Sequence, residues 1–208
     1  MRTHLSSRHT RTAALCLLLL LISACVENSQ ATSPQATLPQ ATPPQAQSKE
    51  FEAGIDKYMQ IHRKAVGAVP ALPRESSDAA LIAKHQQQLA GKIRELRPKA
   101  MVGEVFSPAV RQMVIAIIKQ KTEGKDGAAV KATILGDGNP KSAESPAPVN
   151  LAVNGTYPAS APLSTMPPSI LMALPMLPKE LEYRFVGRNL ILLDSQANLI
   201  VDFIPNVL

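Results

Sequence analysis

The sequence predicts an α+β domain, with N-terminal amphipathic helices packed on a small C-terminal three-stranded antiparallel meander. Three observations carry that reading. The chain ends in three apolar, β-prone runs separated only by Gly-Arg and Ser-Gln-Ala-Asn. Between residues 50 and 118, apolar side chains recur at helical spacing. Ahead of both lies a proline-punctuated stretch of Gln, Ala and Thr, too poor in apolar surface to offset its own ordering entropy. With 208 residues the chain has room for one such domain and its attachments.

Residues 1–24 have the layout of a secretory signal: a basic start, the apolar run Ala13–Ile22, then the small residues Ser23 and Ala24. The run is about ten residues, short of the roughly 20 that a membrane-spanning helix needs. "ISAC" resembles the bacterial lipobox, whose cysteine is acylated and becomes the new N-terminus, so Cys25 is the expected lipid anchor. A plain signal cleaved near a cysteine is the other reading. Cys16 leaves with the signal, so the mature chain keeps Cys25 alone and forms no intramolecular disulfide. Residues 25–48 read as a disordered spacer in which Gln-Ala-Thr recurs between Pro34, Pro39, Pro43 and Pro44. Proline biases it toward an extended left-handed helix, and Val26–Ser48 spans about 70 Å at about 3.1 Å per residue. A Pro-rich recognition segment is the alternative.

One domain is expected over 49–208: a helical part (49–136), a loop (137–148) and a strand-rich part (149–208). "EFEAGIDKYMQIHRKAV" aligns Phe51, Ile55, Tyr58, Met59, Ala65 and Val66 with His62 on the same side. Asp78 reads as the N-cap of a second helix carrying Leu81, Ile82, His85, Leu89, Ile93 and Leu96, which Pro98 ends. Ser107 and Pro108 open a third helix with Val110, Met113, Val114, Ile117 and Ile118 on its stripe. A fourth is expected from Asp126 to Leu135, stopping at Gly136. Residues 150–153 form a weak strand candidate, and "STMPPSILMALP" reads as one helical turn entered through Pro167–Pro168.

The expected strands are Leu181–Val186, Asn189–Asp194 and Leu199–Ile204. Unbroken alternation pairs Arg184 with Ile191 and Ile191 with Asp202. It places Tyr183, Phe185, Leu190, Leu192, Leu199, Val201 and Phe203 on a core face. Glu182, Arg184 and Asp202 share the other face with Ile191, Leu193, Ile200 and Ile204. There Arg184 and Asp202 are expected to meet across Ile191, as a cross-sheet ion pair or as a polar recognition face for a partner.

The passage "LPMLPKELEYRFVGRNLILLDSQANLIVDFI" resembles the C-terminal pattern of the periplasmic nickel/cobalt-homeostasis family. It shares the Pro-rich lead-in, aromatic strand, Gly turn, aliphatic strand ending in an acid, and final strand. The resemblance covers about the last 35 residues and lacks that family's Trp and its basic, His-rich lead region. The layout is also similar to uncharacterised bacterial exported lipoproteins. The first resemblance implies a metal-homeostasis accessory. The second, with Cys25, implies a non-catalytic envelope protein that faces the periplasm and binds another envelope component. Val26 after the cysteine, in place of Asp, points to the outer rather than the inner membrane.

Motifs for chemistry are missing from the sequence. The mature chain's soft ligands are His62 and His85, on different predicted helices; both read as packed, hydrogen-bonded helix-face residues, and no metal is expected. No Gly-x-Ser-x-Gly elbow surrounds Ser142, Ser145, Ser160 or Ser164, and "LGDGNPK" lacks the Lys-Ser/Thr ending of a phosphate loop. No cofactor and no enzymatic activity are therefore expected. The net charge is +6, but Arg2, Arg8 and Arg11 precede the apolar run, so a chain cut before Cys25 keeps +3. That charge, with Trp absent and aromatics scarce, speaks against nucleic acid as a partner. Arg94, Arg97 and Lys99 read as a solvated helix end or a contact for lipid head groups.

Overall fold

The computed structural model describes residues 44–73, 77–137, 151–157 and 166–208. The signal segment, Cys25, the spacer up to residue 43 and residues 138–148 of the expected loop lie outside the described residues. Among the described residues five helices, α1 (Pro44–Val66), α2 (Ala79–Leu96), α3 (Pro108–Glu123), α4 (Gly127–Asp137) and α5 (Pro168–Leu171), precede three strands. These are β1 (Leu181–Val186), β2 (Asn189–Asp194) and β3 (Leu199–Ile204), an antiparallel meander in the order β1-β2-β3. No described helix is long and apolar enough to cross a membrane.

Local chemistry sets the element ends. Asp78 accepts from the amides of Ala80 and Leu81 at the start of α2, and Ser107 accepts from Val110 N ahead of Pro108 at the start of α3. The helix expected from residue 50 begins earlier: Pro44–Ser48, assigned to the spacer, is already helical. Proline fits there because the first helical residue has no intrahelical use for its N–H. The fourth helix continues through Gly136 to Asp137. Gly187, at φ 58°, turns the β1–β2 hairpin.

The helices cover one face of the sheet. Phe51, Ile55 and Tyr58 of α1, Leu89 and Ile93 of α2, and Val110, Val114 and Ile118 of α3 are buried in one cluster with Tyr183, Phe185, Leu190 and Leu192. Phe51 stacks between Phe106 and Tyr183, with ring centroids 6.1 and 6.5 Å away. The opposite face is apolar as well. Ile191, Leu193 and Ile200 are buried beneath Tyr157, with Leu151 and Phe203 packed against them. Residues 151–153 do not form the strand expected of them. Instead the chain just beyond pairs with the outer edge of β3, through Asn154 N to Ile200 O, Ile200 N to Gly155 O and a Thr156–Leu199 bridge.

The register of β1 on β2 is the expected one, with Arg184 opposite Ile191. Between β2 and β3 it is not. A bulge at Leu192/Leu193 pairs Leu193 with Ile200 but Leu192 with Asp202, leaving Val201 as an extra residue. From that point every side chain of β3 changes face. Phe203 leaves the helix side, Ile204 joins it, and Asp202 enters the main core, completely buried. Asp202 therefore does not meet Arg184. Its carboxylate accepts from the amides of Gly103 (3.0 and 3.2 Å), Val105 (2.9 Å), Phe106 (2.8 Å) and its neighbour Phe203 (2.8 Å). Gly103 sits at φ 93°, a conformation that aims its N–H at the acid and that other residues adopt only with strain. Arg184 bonds instead to Glu182, two residues back on its own strand, at 2.9 Å.

Arg94 and Arg97 also turn inward rather than to water. Arg94 donates to Asn154 O and Thr156 Oγ1. Arg97 is buried, donates to Glu104 (2.9 Å) and reaches the carbonyl of Val201, the bulged residue, at 3.3 and 3.4 Å. Lys99 alone of the three is left exposed as expected.

Replacing Asp202 with Ala strands the buried amides of Val105 and Phe106, each of which costs about 1–3 kcal/mol without an acceptor. Urea denaturation of Asp202→Ala should show a loss of at least about 2 kcal/mol, against less than about 1 kcal/mol for Arg184→Ala, whose ion pair is partly exposed. Equal losses for the two variants would contradict the bulged register.

Candidate functional site

A buried polar cluster joins α1 to the end of the β2 strand. Tyr58 and His62 lie one turn apart on the apolar stripe of α1, and both reach Asp194, the last residue of β2. The Tyr58 hydroxyl donates to Asp194 Oδ2 at 2.6 Å, and His62 Nδ1 donates to the same oxygen at 2.6 Å. Asp194 Oδ1 accepts from the amides of Gln196 (3.0 Å) and Ala197 (2.9 Å), which close the β2–β3 turn. Four donors saturate a carboxylate that has no exposed surface. His62 Nε2 lies 3.2 Å from Gln196 Oε1, and the Arg97 guanidinium sits 5.2 Å over the Tyr58 ring.

Electrostatics follow from this packing. Burial, then the charge and hydrogen bond of Asp194, push the Tyr58 phenol far above its ordinary range, with Arg97 opposing, so it is a permanent donor. Burial by itself would lower His62, but the bond to Asp194, its charge, Gln196 and Glu180 outweigh it and raise the imidazole above 6.5. Protonated, His62 donates from both nitrogens, to Asp194 and to Gln196. A cleft of about 350 Å³ beside it is lined by Asp56, Arg63, Glu180 and Gln196. An imidazole oriented by a carboxylate is half of a general-base arrangement. With both nitrogens engaged, the cluster works as a clamp that fixes α1 on the sheet.

His62 and His85 do not converge. His85 Nδ1 lies 3.0 Å from the carbonyl oxygen of Pro70, and among the described residues no three His, Cys, Asp or Glu side chains are grouped to hold an ion. Both histidines are hydrogen-bonded helix residues, as their positions in the sequence suggest.

The second site is an open groove of about 520 Å³ between the α5 segment and β1. In "SILMALPMLP", Ile170 and Leu174 are buried and anchor the segment, while Met172 and Met176 are 87% and 95% exposed. Pro175 and Pro178 keep the chain extended after α5. The Tyr183 hydroxyl donates to Pro175 O (3.1 Å), and Leu181 N to Pro178 O (3.0 Å), holding this lead-in beside β1. Leu171, Leu177 and Met166 add apolar lining, and Lys179, Glu182 and Arg184 supply its charge. Two of the three residues expected to form a polar recognition face, Glu182 and Arg184, thus border one groove. Asp202 belongs elsewhere.

No family model matches this chain, and neither a curated protein nor a solved structure matches it. Its function is read from its own residues.

Asp194 is the residue that sequence reasoning missed. Its signal was an acid closing an otherwise aliphatic strand, and a Tyr and a His one turn apart within an apolar stripe.

The raised value of His62 makes stability depend on pH with a defined sign. The contribution of the pair is complete below about pH 6.5, where the unfolded imidazole is also protonated, and declines as pH rises from there through the higher folded value. The urea midpoint should therefore fall between about pH 6 and about pH 9, below the range in which an unfolded tyrosine ionises. His62→Gln should be less stable at the lower pH and flatter across the interval.

Proposed function

We propose that this protein is an exported bacterial lipoprotein, acylated at Cys25, that acts as a tethered, non-catalytic binding module of the cell envelope. Its partner is another envelope component, which offers an apolar segment to the groove between α5 and β1. The observation that carries this reading is the groove itself, where Leu171, Met172 and Met176 stand exposed around an open apolar cavity. Exposed apolar side chains scattered singly are ordinary, whereas several gathered around one cavity mark a contact surface. Met is suited to such a role because its unbranched, polarisable side chain adapts to different partners. The Glu182–Arg184 pair and Lys179 give the rim polar groups that set orientation more than affinity.

The tether is supported by the sequence alone: basic start, short apolar run, Ser-Ala-Cys and a Pro-rich spacer. Stable attachment takes more than one acyl chain at about 0.8 kcal/mol per buried methylene. Val26 favours the outer membrane. The metal-homeostasis role implied by the C-terminal resemblance has no ligand set behind it among the described residues.

Two measurements test the proposal. Cys25→Ala should move the protein from the membrane fraction to the soluble periplasmic fraction, and a variant that stays with the membrane refutes the anchor. A photo-crosslinking residue at Met172 should give a discrete adduct in intact cells. The same residue at Lys119, exposed on α3, should give none. Equal labelling from both positions, or none from Met172, refutes the docking groove.

A further inference from the structure

The two most exposed side chains of the groove are both thioethers. Met172 and Met176 lie four residues apart on either side of Leu174, which is buried, and both line the cavity. The other methionines among the described residues lack the exposure, the place in the groove, or both. Met59 is 6% exposed in the core, Met113 is packed against the core with Ser48 Oγ 3.9 Å from its sulfur, Met166 lines the groove but is partly buried against the core, and Met101 is 69% exposed but does not line the groove. Accessibility governs which thioethers oxidise, and oxidation turns a flexible apolar side chain into a polar one. The groove thus has its most reactive atoms where its apolar character matters most.

We infer that Met172 and Met176 form an oxidisable rim, and that their conversion to sulfoxides by a peroxide closes the groove to apolar partners. This regulation rests on the docking role proposed above. In the chemical step a sulfur lone pair attacks one peroxide oxygen and the O–O bond breaks. The new S–O bond forms, and the other oxygen leaves as hydroxide, which takes up the remaining proton to become water. Sulfur is oxidised by two electrons and the peroxide is reduced by two. The sulfoxide oxygen is a strong acceptor, and the groove offers few donors to meet it: Lys179 and Arg184 are its cationic lining, and Arg184 is already bonded to Glu182. A partner's apolar segment would have to desolvate that oxygen without replacing its hydrogen bonds. Methionine sulfoxide reductases reverse the change, so the rim can be reset.

The test uses the mature chain and anilinonaphthalene sulfonate, an apolar anionic dye, as the groove probe. Hydrogen peroxide treatment followed by peptide mass mapping should show Met172, Met176 and Met101 oxidised well ahead of Met59. Dye affinity should fall about tenfold in the oxidised protein and return after treatment with methionine sulfoxide reductase and thiol. Met172→Leu/Met176→Leu should bind the dye as well as the untreated protein and keep that affinity through the same treatment, although its Met101 is oxidised. The switch is overturned if the oxidised protein binds dye normally, or if the double Leu variant loses binding to the same degree. Should the unoxidised protein fail to bind the dye, the docking groove itself is refuted and the switch with it. Dye binding that survives full conversion of both methionines refutes the switch alone.

Discussion

The helical side of the sheet contains two carboxylates with no access to water, Asp194 and Asp202, and most of the remaining structure is arranged to satisfy them. A buried carboxylate is tolerated only when its oxygens are fully hydrogen-bonded or paired with a cation. Asp194 draws its donors from α1 and from the turn that follows it, so it fixes both the position of α1 and the shape of the β2–β3 connection. Asp202 draws them from the backbone between α2 and α3, so it fixes that loop and the start of α3. Arg97 links the two systems, lying over the Tyr58 ring and against the carbonyl of Val201 beside Asp202. The aliphatic cluster supplies most of the burial, but many packings would supply it equally. The acids select one of them.

Much of this fold was legible in the sequence. All three strands have the expected bounds, because each is a short apolar run closed by a turn whose composition is distinctive. The caps Asp78 and Ser107 were legible for the same reason, since each couples a side-chain acceptor to a helix start. What escaped was tertiary. The period of two that assigns faces to a strand assumes one residue per step, and nothing local in "LIVDFI" marks the extra residue. Arg97 near a helix C-terminus reads as a solvated cation; only the neighbouring bulge, with a carbonyl freed from the ladder, turns it inward.

The candidate sites divide along similar lines. Glu182 and Arg184 were singled out as a recognition face and do border the groove, but their partnership is with each other. The methionines of "SILMALPMLP" gave no such signal, because a Met at helical spacing is ordinarily core. Two prolines and a tie from Tyr183 keep the segment from folding back over itself. The clamp at Asp194 and the groove are built on the same short sheet, one under α1 and the other beside β1. The rigidity that the acids impose therefore extends to the β1 strand, which carries the groove's polar rim.

The bulge at Val201 also bears on how this sequence can drift. Upstream of it Leu199 and Val201 face the helices, and downstream Asp202 and Ile204 do, so β3 carries its own correction of phase. Removing Val201 would leave a regular strand in which every other residue keeps its present face, at the expense of one buried side chain and of the carbonyl that Arg97 reaches. Removing Phe203 would instead send Asp202 or Ile204 to the other side. The deletion at Val201 leaves every remaining side chain of the strand on the face it now occupies. A shorter, unbulged β3 with the acid still in place is thus a neighbouring solution in sequence space, reachable in one step.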